Sequence, residues 1–475
     1  MVSGNVIMAY FTSWSIYGRN YNVWDMDVSR LSHINYAFAN IENGLVVLGD
    51  PYADVEMVNT GKGDAWSDPS DMLHGNFHQL FRLKQKNRHL KVGLSIGGWT
   101  WSGQFSTVAA SERSRKKFVA SAMQHLLNFG FDYIDLDWEY PGGGGLEGNH
   151  ESPNDPVNFV ALLAEFQQQI QQHFPNEPEG SRPYVTIAAG CAPAIYQKYR
   201  LADMAKYLKY FNLMCYDFSG PWSPASEHQA NLYKRTGRST TEFSTNDGVQ
   251  YFLKHGVRKD QIVVGVPFYG REFAACLGLQ QPFHGTGKGS WEPGMYDYNA
   301  LPMPGYELRW EKSTNATFAY NSKSKSLITF DDTRSVAFKM DYILKEGLAG
   351  TMFWEISGDR KTTDKNSLLF EIGRWLGGPL LDTTPNRLCY TKSKYRNIRD
   401  NPVCPAPAGK DRNRAQIGGT STTSPAQHAQ IMQHCISMLV GEPQMANKAH
   451  AIPRYAEQLH ECYQSIVKDV IDLSK

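Results

Sequence analysis

The segment FDYIDLDWEYPG, residues 131–142, carries the strongest structural signal in the chain. Successive side chains of a β-strand point to opposite faces, so Tyr133, Asp135, Asp137 and Glu139 share one face. The opposite face is apolar and suited to burial under helices, with Ile134, Leu136 and Trp138. This pattern predicts a strand of a parallel barrel, with the acids inside and Glu139 nearest the carboxyl-terminal mouth.

Three carboxylates on the inside of a barrel need a chemical explanation. Burying acids costs folding free energy unless they share protons or form hydrogen bonds. The alternative of a polar strand that faces water does not fit, because the opposite face of the strand is apolar. We expect Asp135, the deepest, to hold a proton readily and Asp137 to share a proton with either neighbour. This coupling is expected to raise the pKa of Glu139 and keep it protonated as a general acid.

Outward from this strand, short apolar segments alternate with amphipathic stretches, which is typical of βα units and a parallel sheet. Eight strands close a barrel, so the predicted fold is α/β, a (β/α)8 TIM barrel. An open doubly wound sheet would require a glycine-rich phosphate loop after the first strand, and residues 12–15 provide none. The predicted strands are residues 6–11, 33–38, 92–96, 133–139, 185–189, 211–217, 262–269 and 351–355, and the predicted helices are residues 111–129, 158–173, 247–255, 335–345 and 367–376.

The spacing of these segments predicts three parts. Residues 1–271 and 332–378 form the barrel, and residues 272–331, rich in Gly, Pro and aromatic side chains, form a small inserted α+β domain. Barrel enzymes build specificity at this carboxyl-terminal face. Residues 379–475 form a C-terminal extension, a linker followed by two amphipathic helices. The strand-like pieces of the insertion are residues 295–298, 317–320 and 327–330.

Cysteines concentrate in the extension, at Cys389, Cys404, Cys435 and Cys462. Disulfides there are compatible with the sequence, which does not determine their pairing. Residues 434–435 and 460–462 combine His and Cys, but cysteines on an apolar helix stripe generally belong to a core. We therefore predict no metal site and no cofactor.

Charge and hydropathy limit the kinds of partner that the protein is expected to bind. Lys and Arg (48) nearly balance Asp and Glu (47), giving +1, so no basic field would gather nucleic acid or anionic lipid. No apolar run approaches the roughly 18 residues of a membrane span. Residues 6–11 are too short for a signal-peptide core, which leaves a cytoplasmic protein or a secreted one after signal removal. We expect a monomer that binds neither nucleic acid nor membrane.

The acidic strand resembles the DxxDxDxE signature of family 18 glycoside hydrolases, the chitinases and their relatives, at Asp132, Asp135, Asp137 and Glu139. The resemblance covers roughly residues 5–378, and the inserted domain is similar to that of the bacterial type. Further family-like pieces are Tyr36-Ala37-Phe38, Ser95-Ile96-Gly97-Gly98-Trp99, Met214-Cys215-Tyr216-Asp217, Gly265-Val266-Pro267-Phe268-Tyr269-Gly270-Arg271 and Phe353-Trp354-Glu355.

The resemblance implies retaining, substrate-assisted hydrolysis of β-1,4-linked N-acetylglucosamine in chitin or chito-oligosaccharides. The acetamido oxygen of the substrate attacks the anomeric carbon while Glu139 protonates the leaving oxygen. Asp137, with Asp135 beneath it, would orient the acetamido group, Tyr216 would hydrogen-bond its carbonyl, and Asp217 would contact the −1 sugar. The implied sugar contacts are Trp354 as the floor of the −1 site, Trp99 and Trp222 at neighbouring subsites, and Tyr10, Phe38, Ser95, Arg271, Met214 and Tyr269 around them.

Some of these residues also have structural interpretations. Tyr10 and Phe38 fit a barrel core about equally well, and Trp222 fits a structural lid. Tyr269 fits the core or a supporting position better than a sugar contact. Tyr133 stands where the family usually has glycine, and we expect it to fill the barrel floor or to hydrogen-bond Asp135.

Two other functions share this motif. One is a chitin-binding lectin of the same fold, but such relatives typically lose the acid, which is present here as Glu139. The other is an endo-β-N-acetylglucosaminidase that acts on N-glycans. The inserted domain and the set of tryptophans favour a groove for a linear polymer instead.

Overall fold

The computed structural model describes residues 4–235, 243–400 and 402–404. In chain order its strands are β1 (Val6–Thr12), β2 (His33–Glu42), β3 (Leu45–Leu48), β4 (Lys91–Gly97), β5 (Tyr133–Asp137), β6 (Tyr184–Gly190), β7 (Tyr210–Met214), β8 (Ile262–Pro267), β9 (Tyr269–Phe273), β10 (Met295–Asp297), β11 (Glu307–Glu311), β12 (Ala316–Asn321), β13 (Ser326–Phe330) and β14 (Gly350–Trp354). Eight of them are parallel neighbours in the order β1-β14-β8-β7-β6-β5-β4-β2, and pairing of β2 with β1 closes the barrel. The predicted (β/α)8 barrel is confirmed.

The barrel helices begin and end at residues that favour helix termini. The side chain of Ser111 caps α3 (Glu112–Phe129) and that of Asp332 caps α8 (Thr333–Glu346), while Gly130 and Gly347 end these helices with left-handed backbone. Ser367 caps α9 (Leu368–Leu376), the predicted last helix of the barrel. The described α-helices are α1 (Gly75–Lys86), α2 (Phe105–Ala109), α3 (Glu112–Phe129), α4 (Asp155–His173), α5 (Pro193–Tyr196), α6 (Leu201–Met204), α7 (Thr245–Lys254), α8 (Thr333–Glu346), α9 (Leu368–Leu376) and α10 (Arg396–Arg399).

All eight predicted barrel strands are present, but four end earlier than expected: β8 stops two residues and β14 one residue before the predicted end, and β5 and β7 lose residues of the predicted site. Strand β5 ends at Asp137 rather than at residue 139, because the Glu139 N–H donates to the Ser102 hydroxyl instead of continuing the ladder. Strand β7 ends at Met214 rather than at residue 217, and Asp217 has left-handed backbone with φ 57°. Glu139 and Asp217, which were predicted to lie in strands, therefore lie in loops at the barrel mouth.

The stretch between the second and third predicted strands contains a hairpin and a helix that the sequence analysis missed. Strand β3 returns antiparallel to β2 through Asn43 and Gly44, both at positive φ. An Asn-Gly pair between apolar runs is a strong hairpin signal, so this element was predictable. Helix α1 follows and buries Phe77, Leu80 and Phe81 against the barrel.

Aromatic side chains fill the floor of the barrel beneath Asp135, Asp137 and Glu139, which together form the acidic row. Tyr133 is fully buried, and its ring stacks on Tyr184 at 4.9 Å between centroids. Its hydroxyl donates to Asn35 Oδ1 at 2.7 Å, so it does not bond Asp135. The ring fits because its neighbour on β4 is Gly93, where a Cβ would lie 2.1 Å from the Tyr133 ring. Tyr133 therefore fills the barrel floor, the first of the two positions expected from the sequence.

The segment between β8 and α8 forms a separate five-stranded antiparallel sheet in the order β10-β9-β13-β12-β11. The sheet begins at Tyr269, inside the segment predicted to be the seventh barrel strand, and ends at Phe330. Helix α8 follows and contacts this sheet through Phe338, whose ring lies 5.3 Å from that of Trp310.

Residues after α9 pack against the amino-terminal end of the barrel. The Asn386 amide donates to the carbonyls of Lys84 and Leu90, and the Tyr390 hydroxyl donates to Phe131 O at 2.8 Å. A disulfide joins Cys389 to Cys404. The predicted helices of the extension, Cys435, Cys462 and the His-Cys pairs at residues 434–435 and 460–462 lie outside the described residues. Within those residues, no helix combines the length and the apolar character needed to cross a membrane.

Candidate active site

The acidic row lies at the carboxyl ends of the barrel strands, and Asp135 is its deepest member. Four side chains from four other strands donate to its carboxylate, two to each oxygen. Burial raises the pKa of Asp135, in the expected direction, and these hydrogen bonds oppose the rise. The donors are Tyr10 (2.8 Å) and Ser95 (2.7 Å) to Oδ2, and Thr186 (2.6 Å) and Asn212 (3.1 Å) to Oδ1.

Asp137 has a different environment. It is buried, and its Oδ1 has no hydrogen-bond partner among the described residues. Burial and the charges of Glu139 and Asp135 raise the pKa of Asp137 well above its ordinary value. The pKa directions favour protonation of Asp137 and Glu139, whereas the four hydrogen bonds donated to Asp135 oppose the rise of its pKa.

Glu139 lies at the top of the row, only 9% exposed. Burial and the charge of Asp217 raise its pKa to about 7, against an opposing hydrogen bond with Tyr140. An acid with a pKa near neutrality is protonated in a useful fraction of molecules and can still release its proton to a reacting group. Glu139 therefore has the electrostatic properties of a general acid.

Asp217 is held beside the row by a bidentate ion pair. Arg271 donates to its two oxygens at 2.6 and 2.8 Å, and the Tyr269 hydroxyl donates at 2.7 Å. The guanidinium also lies 4.8 Å from the ring centre of Trp222. Arg271 and Tyr269 thus fix the orientation of Asp217, so Tyr269 occupies the supporting position considered from the sequence.

Aromatic rings form one wall of the site around Trp354, the last residue of β14. Phe38 stacks on Trp354 at 5.5 Å with an interplanar angle of 16°, and Tyr10 lies at 5.6 Å. Trp14, which the sequence analysis did not select, lies at 6.4 Å and is 41% exposed. A flat, partly exposed indole surface of this kind suits contact with a sugar ring.

Tyr216 and Met214 border the same aromatic cluster. Burial, neighbouring Tyr269 and the charge of Asp137 raise the pKa of Tyr216 well above its ordinary value, so its hydroxyl remains a donor. Its Oη lies 3.9 Å from Met352 Sδ, a weak contact that a stronger acceptor can replace.

The remaining predicted residues lie further out or on the other side of the strand. Trp99 is 49% exposed and Trp222 is 61% exposed, on loops at the mouth. Asp132 points away from the site, and its carboxylate contacts Lys84 Nζ at 2.9 Å. The structure therefore brings the predicted acids, tyrosines and Trp354 together, and it separates Asp132 from them.

Sequence reasoning missed the residues that reach the row from distant strands. Thr186 and Asn212 donate to Asp135, and Ser102 contacts the main chain of Glu139. The strand alternation of β6 and β7 could have placed Thr186 and Asn212 inside the barrel. No local signal distinguishes Ser102 from other loop serines.

Comparison with known proteins identifies the family. The model of "Glycosyl hydrolases family 18" matches residues 6–359. Endochitinase 1 of Metarhizium robertsii is 40% identical over 398 residues, which are 83% of this chain and 90% of that protein. Chitinase A1 of Niallia circulans is 37% identical over 428 residues, covering 80% of this chain and 60% of that protein.

Solved structures agree with these relatives. Chitinase ChiA74 from Bacillus thuringiensis has a TM-score of 0.74 at 34% identity, covering 78% of this chain and 70% of that one. The catalytic domain of psychrophilic chitinase B from Arthrobacter TAD20 has a TM-score of 0.72 at 31% identity, covering 81% and 97%. The chain belongs to family 18 of the glycosyl hydrolases.

Proposed function

We propose that this protein is a chitinase that hydrolyses β-1,4-linked N-acetylglucosamine with retention, using the acetamido group of the substrate as nucleophile. The observation that carries the proposal is the row of Asp135, Asp137 and Glu139, which is buried, forms no ion pair with a cation among the described residues, and lies at a mouth walled by Trp354. The relatives, named as chitinases, support chitin as the substrate.

In the first step, Glu139 gives its proton to the glycosidic oxygen, and the bond between that oxygen and the anomeric carbon breaks. The acetamido carbonyl oxygen bonds to the anomeric carbon and forms an oxazolinium ion. In the second step, Glu139 takes a proton from water, whose oxygen attacks the anomeric carbon and reopens the ring. The balance is one water added per bond cleaved, and Glu139 regains its proton.

Asp137 is proposed to orient the nucleophile. Its Oδ1 has no hydrogen-bond partner in the part of the chain that the structure describes and can accept the acetamido N–H, whereas both oxygens of Asp135 already accept hydrogen bonds. A proton shared between Asp137 and Glu139 is proposed to offset the repulsion between their like charges. The Tyr216 hydroxyl, whose present contact is weak, is proposed to donate to the acetamido carbonyl oxygen.

Among the described residues, no second carboxylate is placed to act as a nucleophile. Asp137 and Glu139 extend from the same strand end, so they approach the sugar from one side. Asp217 is held by Arg271 and Tyr269, which favours a fixed contact with the −1 sugar over attack. The contacts proposed for Trp354, Tyr10, Phe38, Met214, Trp99 and Trp222 follow from their positions around the mouth.

A chitin-binding lectin and an endo-β-N-acetylglucosaminidase are less well supported. A lectin does not require an acid with a pKa near neutrality, and the relatives described above are named for chitin cleavage. Product analysis on chito-oligosaccharides of defined length tests the proposal. Release of shorter chito-oligosaccharides is expected. Binding without cleavage would indicate the lectin, and cleavage confined to the core of N-glycans would indicate the third function.

A further inference from the structure

The main chain of Glu139 is held by side chains outside its own strand. The last ladder contact of β5 joins Gly98 N–H to Asp137 O at 2.8 Å, and the regular pairing then ends. Beyond it, the Glu139 N–H donates to the Ser102 hydroxyl at 2.8 Å. That hydroxyl donates in turn to Gly98 O at 2.8 Å and lies 3.1 Å from Asp137 O. Ser102 thus bridges β4 and β5 where the ladder stops.

A second side chain holds the other side of the same residue. The Asn149 amide donates to Glu139 O at 3.3 Å from the loop that follows β5. This loop is tied to the Ser102 loop, because the His150 N–H donates to Gly103 O at 3.3 Å. The N–H and the C=O of Glu139 are therefore both bound by groups from two connected loops.

Ser102 is only 1% exposed, and the turn that carries it is short, since Trp101 N–H donates to Gly98 O at 3.2 Å. A buried hydroxyl in this setting has little freedom to move. The orientation of the Glu139 carboxyl depends on its main chain, because the residue lies just past the end of a strand. Misplacing a catalytic group by about 1 Å can cost about 10²-fold in rate.

We propose that Ser102 and Asn149 are positioning residues that hold the main chain of the general acid in the orientation needed to protonate the leaving oxygen. The proposal rests on the proposed role of Glu139. It predicts a selective defect. A variant that misplaces the acid should be impaired on substrates whose leaving group needs a proton, and nearly normal on substrates whose leaving group departs as a stable anion.

The test compares Ser102→Ala with wild type on two substrates. One is chitotetraose, whose leaving group is a sugar alcohol, and the other is 2,4-dinitrophenyl β-chitobioside, whose leaving group departs without a proton. The readout is kcat/KM, which reports the first step alone and leaves out the second step, in which Glu139 acts as a base. We expect kcat/KM on chitotetraose to fall about 10- to 100-fold and kcat/KM on the aryl glycoside to stay within about threefold of wild type.

Asn149→Ala provides a second variant in a half-buried loop position, where loss of folding is not a concern. Its hydrogen bond is longer, so the same selective defect should appear with a smaller loss on chitotetraose. Ser106→Ala is the matched control, because the buried Ser106 hydroxyl donates to Asp155 at 2.7 Å and does not contact Glu139. It should leave the ratio of the two activities unchanged.

An equal loss on both substrates, or no loss on either, in Ser102→Ala and Asn149→Ala would overturn the positioning role. If Ser102→Ala does not fold by circular dichroism, Asn149→Ala alone decides. Wild-type protein that cleaves neither substrate would instead overturn the proposed function. The two failures are therefore distinguishable.

Discussion

The two ends of β5 carry buried carboxylates in opposite surroundings. Before the strand, Asp132 contacts Lys84 Nζ at 2.9 Å and accepts the N–H groups of Val92 and Arg387, both at 2.7 Å. After the strand, neither Asp137 nor Glu139 pairs with a cation within the part of the chain that the structure describes. The negative charge at the start of β5 is therefore neutralised by a lysine, and the charge at its end is neutralised by protonation.

The effect of this difference appears in the pKa directions. Burial acts to raise the pKa of Asp382, also at the amino-terminal end, but Lys91 at 3.0 Å and further partners outweigh it and lower the pKa. Burial also acts to raise the pKa of Asp137, where the neighbouring acids add to its effect and raise the pKa well above its ordinary value. In this comparison the acid paired with a lysine has a lowered pKa, and the acid beside other acids has a raised pKa, which suits it to proton transfer.

The largest expected effect follows from removing the acid at the mouth. Glu139→Gln keeps the shape of the side chain and removes only the proton, so kcat on chitotetraose should fall by at least about 10²–10⁴-fold. Binding of chitotetraose, measured by calorimetry, should persist. Glu165→Gln is the matched control, because Glu165 is buried on α4 and bonds only Gln169 among the contacts described. A Glu139→Gln variant that keeps more than about a tenth of wild-type turnover would contradict the assignment.

Asp137→Ala should cost nearly as much, about 10²-fold or more in kcat, because the acetamido group loses its orienting partner. The two variants can be separated by leaving group. A 2,4-dinitrophenyl leaving group should restore much of the first-step rate in Glu139→Gln and little of it in Asp137→Ala, since Asp137 acts on the nucleophile. Equal restoration in both variants would show that Asp137 has no separate role.

At the other end of β5, the corresponding change should affect stability instead. Asp132→Ala leaves Lys84 buried without its carboxylate, which should lower the free energy of unfolding by about 3–5 kcal/mol. Urea unfolding measures this loss, and the kcat of the folded protein should be unchanged. Adding Lys84→Met should recover part of the loss. A stable but inactive Asp132→Ala protein would show that the two ends of β5 are not functionally distinct.

The smallest effect concerns pH. Glu139 acts in its protonated form, so kcat/KM should be level below its pKa of about 7 and fall as the pH rises through that value. Asp217 is one cause of the raised pKa, and its removal also frees Arg271, so Asp217→Asn should move this alkaline limb to lower pH. The measured quantity is the pH at which kcat/KM falls to half its maximum, which can be compared even if the maximum itself is lower in the variant. A limb that stays in place or moves to higher pH would contradict the electrostatic assignment.

The alternation of residues 131–142 predicted the acidic row, because a strand fixes the face of each side chain locally. The eight apolar segments that alternate with amphipathic stretches predicted the barrel. The environment of the row was less predictable. Asp135 is bonded by residues on four other strands, among them Tyr10 and Asn212, which are separated from it by 125 and 77 positions. Their meeting depends on the register of the closed barrel.

The conformations of the loops were also difficult to predict from the sequence. Met214-Cys215-Tyr216-Asp217 was expected to continue a strand, but the left-handed backbone at Asp217 turns its side chain toward Arg271. That pairing lies across the junction with the second sheet and has no sequence signature. Likewise, the contacts of Ser102 depend on where the ladder of β5 stops, and a strand pattern locates such an end only approximately.

The central claim is that the substrate provides the nucleophile, and the anomeric form of fresh product tests it most directly. Proton NMR of chitotetraose hydrolysis, recorded before mutarotation, should show the β-anomer first, because two inversions at the anomeric carbon give net retention. Cello-oligosaccharides and fully deacetylated chitosan, which lack the acetamido oxygen, should not be cleaved under the same conditions. Initial release of the α-anomer, or efficient cleavage of a cello-oligosaccharide, would contradict the account.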